Sequence, residues 1–147
     1  MDDLSVLKSQ RNECCQELSK INTSIQKYER TLEALKRFKQ DVEISEQHFE
    51  SVNTTKISLV NGLGELTKNC LSAEMYLEGT DKTLNGFGSK IVGVAFDGLK
   101  LAIALKCVSY NAKILALDTQ SRTVNARMNT IDTAIKTAQE ITDVFEY

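Results

Sequence analysis

Proline and tryptophan are both missing from this chain of 147 residues, and histidine occurs only once. Proline breaks helix interiors and populates turns and linkers, so its absence favours a few long helices joined by few loops. The lone histidine, His48, has no second imidazole with which to build a common zinc site. It stands among Glu43, Glu46 and Glu50 on what reads as a solvated helix face, and neither a metal site nor acid–base chemistry is expected there. Excess charge is missing too. A formal net charge of -2 gives no overall attraction for nucleic acid or anionic lipid.

Long uncharged runs are also scarce. The most apolar stretch, "IVGVAFDGLKLAIALKCV" from Ile91 to Val108, contains Asp97, Lys100 and Lys106, each costly in hydrocarbon, so stable membrane insertion is not expected. The opening "MDDLSVLKSQRNECC" begins with acids and lacks an apolar core, unlike a signal peptide. Four cysteines, Cys14, Cys15, Cys70 and Cys107, show no CxxC spacing. Adjacent Cys14 and Cys15 would point about 100° apart on a helix, poor geometry for one metal, so all four read as reduced thiols at helix contacts.

What the chain does have is seven-residue periodicity. Leu7, Cys14, Ile21, Tyr28, Leu35, Val42 and Phe49 form one series, with Leu4, Leu18, Ile25 and Leu32 as the second set of an a/d seam. Arg11, Lys39 and Glu46 interrupt the second set. From Phe38 that set shifts by one position, giving Val52, Leu59, Leu66 and Ala73 against Leu63, Cys70 and Leu77. A second series, Ile103, Cys107, Tyr110, Ile114, Leu117, Val124, Met128, Ile131, Ile135 and Ala138, alternates in steps of three and four.

These patterns predict an all-α single domain, residues 1–147, folded as a long antiparallel helical hairpin. Arm one is expected over about 4–78, the turn over 79–88 and arm two over about 89–145. All seven glycines lie between residues 62 and 98, and Gly79 or Gly86 is expected to supply the positive φ of the turn. A bend centred near Leu84 sets Leu63 opposite about Leu105 and Leu35 opposite about Thr133, with residues before about 21 overhanging. The alternative architecture breaks arm one near residues 51–55, where Asn53 would N-cap a new helix, and makes three helices. A two-helix hairpin buries one stripe per arm, so the apolar face carrying Val92, Phe96, Leu101 and Leu105 exceeds its needs and points to a partner helix or a second copy.

Leu77-Glu78-Gly79, followed by Leu84 and Phe87, places an apolar-x-Gly element with trailing apolar residues between two long helical arms. This resembles the W-x-G hairpin of the small helical proteins of type VII (ESX-like) secretion systems, with leucine in place of tryptophan. It is more similar still to the small helical proteins encoded beside LXG-domain toxins in Gram-positive bacteria. The resemblance implies a targeting factor or chaperone in the bacterial cytoplasm, exported with its partner or left behind. Its partners would be the helical domain of a toxin and a second small helical protein, met through Leu77, Gly79, Leu84, Phe87, Val92, Phe96, Leu101 and Leu105. The sequence departs from the family in one respect: no tyrosine or phenylalanine is followed at the fourth place by an acid, so the Tyr-x-x-x-Asp/Glu export signal is missing.

No enzymatic activity and no cofactor are expected. "TLNGFGSKI" sets Gly86 and Gly88 before Lys90 but lacks the GxxxxGK[ST] spacing and any preceding strand. "LKRFKQ" groups Lys36, Arg37 and Lys39 around Phe38, with acids following at Asp41, Glu43 and Glu46, which reads as a solvated coiled-coil flank. Two other roles stay open beside the toxin partner: a self-assembling structural coiled coil, and a membrane-active effector using the glycine-spaced segment from Gly86 to Val108.

Overall fold

A computed structural model describes residues 2–66, 68 and 70–145. Three helices account for nearly all of them: α1 (Asp2–Leu66), α2 (Leu71–Asn85) and α3 (Phe87–Phe145). The fold is all-α, a helical hairpin in which α1 pairs antiparallel with the later helices.

The break near residues 51–55 that defines the alternative architecture is absent, because α1 continues through it to Leu66. Asn53 does not cap a helix there. Its amide Nδ2 reaches across to donate to the Leu84 carbonyl oxygen at 3.1 Å and to Ser89 Oγ at 3.3 Å. Thr55, one of the polar β-branched residues that weaken the helix on propensity, turns its hydroxyl back onto the Ser51 carbonyl at 2.9 Å. Thr23, Thr31, Thr123, Thr133 and Thr137 do the same one turn back, satisfying each hydroxyl inside the helix.

The turn expected over 79–88 is also corrected. Residues 79–85 belong to α2, and the reversal comes before α2 begins at Leu71, ahead of Gly79 and Gly86. Glycine density does not mark the turn here: Gly79 is an exposed residue inside a helix, and no described glycine has a positive φ. Gly86 instead makes a bend. Its φ of -86° and ψ of -166° end α2, and a Cβ there would sit 2.0 Å from the Lys82 carbonyl oxygen. Glycine is required at this position by close approach, not by handedness.

Moving the reversal moves the register. Arg11 pairs with Asp132, Tyr28 with Tyr110, Glu46 with Lys100 and Phe49 with Phe96, so the paired positions centre at about residues 69–73 instead of 84. Leu35 therefore does not lie opposite Thr133, and the residues before 21 do not overhang: Cys14 and Leu7 pack in a core with Val124, Met128 and Ile131.

The chain divides into two compact units, Met1–Glu33 with Val108–Tyr147, and Ala34–Cys107. The first has a continuous core of Cys14, Ile21, Val124 and Ile131, flanked by Leu7, Leu18, Ile25, Leu117, Met128 and Ile135. These are the a/d residues of the sequence seam. The rings of Tyr28 and Tyr110 lie 5.6 Å apart, with Lys113 Nζ over both at 5.5 and 5.1 Å. Arg127 donates from Nε to Cys14 Sγ at 3.3 Å and pairs with Glu17. The four cysteines are free thiols.

In the second unit the buried apolar residues are Val42 and Ile103, among those described. Half-buried Phe49 and Phe96 meet with ring centroids 6.2 Å apart. The side chain of Leu66, expected in the seam, lies outside the described residues.

Candidate functional site

Within the second unit, α3 carries two apolar faces. The inner face holds Val92, Phe96, Ile103 and Cys107, all buried or half-buried, with Lys100 tied to Glu46 at 2.6 Å and to Asp97 at 3.5 Å. Phe87, Ile91, Val94, Gly98, Leu101 and Leu105 form a second series, again in steps of three and four, and every one of them is exposed. Leu101 and Leu105 each stand two residues from Ile103, which is about 200° around the helix on either side. The second series therefore lies opposite the first.

A helix apolar all round is normally covered all round. Here Ile103 is 3% exposed, whereas Phe87 is 79%, Val94 70%, Leu101 62% and Leu105 63% exposed. Heptad spacing gives the outer series the form of a coiled-coil seam, with knobs at Phe87, Ile91, Val94, Leu101 and Leu105 and a gap at Gly98. Exposed Ala95 and Ala102 lie beside it and permit close approach of a neighbouring helix. Lys90 on one border and Lys106 on the other are exposed and form no ion pair among the described residues.

The residues singled out in the sequence divide among three places. Leu101, Leu105 and Phe87 belong to the outer seam. Val92 and Phe96 do not: they face α1, and the single surplus face read from the sequence merges two opposite ones. Leu77 and Leu84 are half-buried and line a cavity of about 480 Å³ with Leu59, Val60, Leu63 and Tyr76. Gly79 is exposed in α2, and beyond its chain neighbours and its own helix backbone nothing lies within 4 Å of where a Cβ would stand. Ile91 and Val94 were not singled out. Their signal in the sequence is a 3–4 series two residues out of phase with the inner seam.

Chemistry is sparse around this face. The Lys100 ammonium is held above its ordinary lysine range, chiefly by its hydrogen bond to Glu46, and it serves to pair the two arms. His48 is exposed, and no group of three or more metal-ligating side chains occurs among the described residues. Phe38 is 47% exposed beside Lys39, whose partner is Glu43 at 3.8 Å. Gly86 makes the bend and Gly88 lies in α3, so neither forms a phosphate loop. Among the described residues no helix is long and apolar enough to cross a membrane. Comparison with family models, with curated proteins and with solved structures finds no match to this chain.

Proposed function

We propose that this protein is a non-enzymatic helical partner, a targeting factor or chaperone that covers an apolar helix of another protein. The observation that carries this reading is the exposed heptad seam from Phe87 to Leu105, set opposite the face of α3 that packs on α1. A surface of this kind offers shape and burial, with no converging groups for catalysis.

The specific partner we propose is the helical N-terminal domain of an LXG-type toxin destined for type VII secretion, bound in the bacterial cytoplasm. Support for that identity comes from the sequence resemblance at Leu77, Gly79, Leu84 and Phe87. The Leu-x-Gly element lies inside α2, away from the reversal, so its support is one of sequence pattern and not of turn geometry. The cavity lined by Leu77 and Leu84 offers a second apolar surface for the same partner.

Co-expression of the full chain with such a toxin domain tests the proposal, with size-exclusion chromatography and light scattering as the readout. A stoichiometric complex is expected, lost in Leu101→Asp while the isolated variant keeps its helical circular dichroism. A stable homo-oligomer that ignores the toxin domain would instead establish the self-assembling coiled coil. A complex that survives Leu101→Asp and Leu105→Asp would remove the outer seam from the interface.

A further inference from the structure

Resting on the reading of the protein as a helical partner, we infer that the outer seam of α3 is built for a foreign amphipathic helix with an apolar heptad stripe bordered by acidic residues. Two lysines frame the seam, Lys90 along one edge and Lys106 along the other, and neither has an ion-pair partner among the described residues. By contrast Asp97, on the same edge as Lys90, already meets Lys100 at 3.5 Å. The charges left over at the borders are cationic. A docked helix with Glu or Asp at its flanking positions supplies what they lack, whereas one with Lys or Arg there meets like charge on both sides.

A second copy of the chain fits less well. Antiparallel self-pairing over the full seam sets Phe87 against Leu105 and Ile91 against Leu101, which is acceptable packing, but it brings the two Asp97 side chains together beside the dyad. Parallel self-pairing sets Gly98 against Gly98 and leaves a gap where a knob should be. Neither arrangement gives Lys90 or Lys106 an acid. A foreign helix with a large side chain opposite Gly98 fills the gap and pairs both lysines.

An anionic membrane is the other surface that a lysine-bordered apolar stripe suits. Two features favour a helix. Asp97 lies on the border that would meet lipid headgroups, and Gly98 with exposed Ala95 and Ala102 makes a contoured surface of knobs and a hole, which a lipid layer does not read.

The experiment titrates the full chain into three fluorescent synthetic helices of about three heptads each, identical in their Leu/Ala stripe and carrying Glu, Gln or Lys at the flanking positions. In dilute salt the Glu-flanked helix is expected to bind at least about tenfold more tightly than the Lys-flanked one, with the difference shrinking as salt rises. A Lys90→Glu/Lys106→Glu double variant should reverse that order, and Leu101→Asp should abolish binding of all three while remaining helical. Equal affinity for the three helices would overturn the charge inference and leave helix docking standing. Binding to none of them would overturn both, whether the chain instead associates with vesicles of mixed neutral and anionic phospholipid, self-associates or stays alone.

Discussion

The two units of this hairpin use nearly equal lengths of chain and place their apolar residues differently. The first builds one core in which Cys14, Ile21, Val124 and Ile131 are buried and their heptad neighbours pack around them. The second buries Val42 and Ile103 but holds fourteen of the twenty large apolar residues that stand exposed among those described. Composition alone does not produce this contrast. In the first unit the heptad residues of each helix meet in one core while Val6, Val108, Leu115, Ile141, Val144 and Phe145 stand exposed as scattered residues, whereas in the second α3 carries two opposite apolar series and only one of them packs on α1. A paired helix needs one seam, so the second seam of α3 is not accounted for by the hairpin pairing, and it is the surface to which the proposed partner is assigned.

The largest way to break the comparison is to treat both regions alike. Ile21→Ala, in the first core, should lower stability by roughly 2–4 kcal/mol in urea unfolding, the usual cost of emptying a buried aliphatic site. Leu105→Ala, on the outer seam of the second unit, should change it by less than about 0.5 kcal/mol. Comparable losses for the two would mean that the outer seam is covered within the single chain.

Two glycines sharpen the picture with effects of opposite sign. Gly86→Ala must push a Cβ into the Lys82 carbonyl and should destabilise by about 1–3 kcal/mol. Gly79→Ala, in an open helix interior, should stabilise by up to about 1 kcal/mol. Thermal unfolding of the pair reads both. If Gly79→Ala is the damaging change, the turn lies at residue 79 after all.

The smallest effect concerns pH. Lys100 is raised above its unfolded value by Glu46, so its contribution is complete below the ordinary lysine pKa of about 10.4 and is lost as pH climbs through the higher folded value. Lys100→Met should therefore flatten the alkaline limb of a stability profile and leave its shape between about pH 6 and 9 unchanged. A variant that alters the neutral region would mean that Lys100 is not the group titrating on that limb.

Much of this is legible in the sequence. The series Leu7, Cys14, Ile21 and its match Val124, Ile131 was readable because buried heptad residues must repeat with the helix, and they form the core. The hairpin followed from having two such arms. Its reversal was misplaced because glycine was read as a turn residue, while here Gly79 is tolerated inside a helix and Gly86 serves close packing. The register error came from that single misplacement. The partner face was half legible. Leu101 and Leu105 stood out as surplus, but Val92 and Phe96 were grouped with them because apolarity alone does not say which of two opposite stripes meets α1. Periodicity traced to its phase would have separated them and added Ile91 and Val94.

The central claim is that α3 has one face for its own fold and one for the proposed partner, and two positions less than a turn apart test it most directly. Ile103 is 3% exposed and Leu101, two residues earlier, is 62% exposed. Urea unfolding of Ile103→Asp and Leu101→Asp, measured side by side on the purified chain, should show a loss of roughly 3 kcal/mol or more for the first. For the second the account predicts a change within about 0.5 kcal/mol. An equal or greater loss in Leu101→Asp would contradict it, because a face free for docking cannot also be one that holds the isolated chain together.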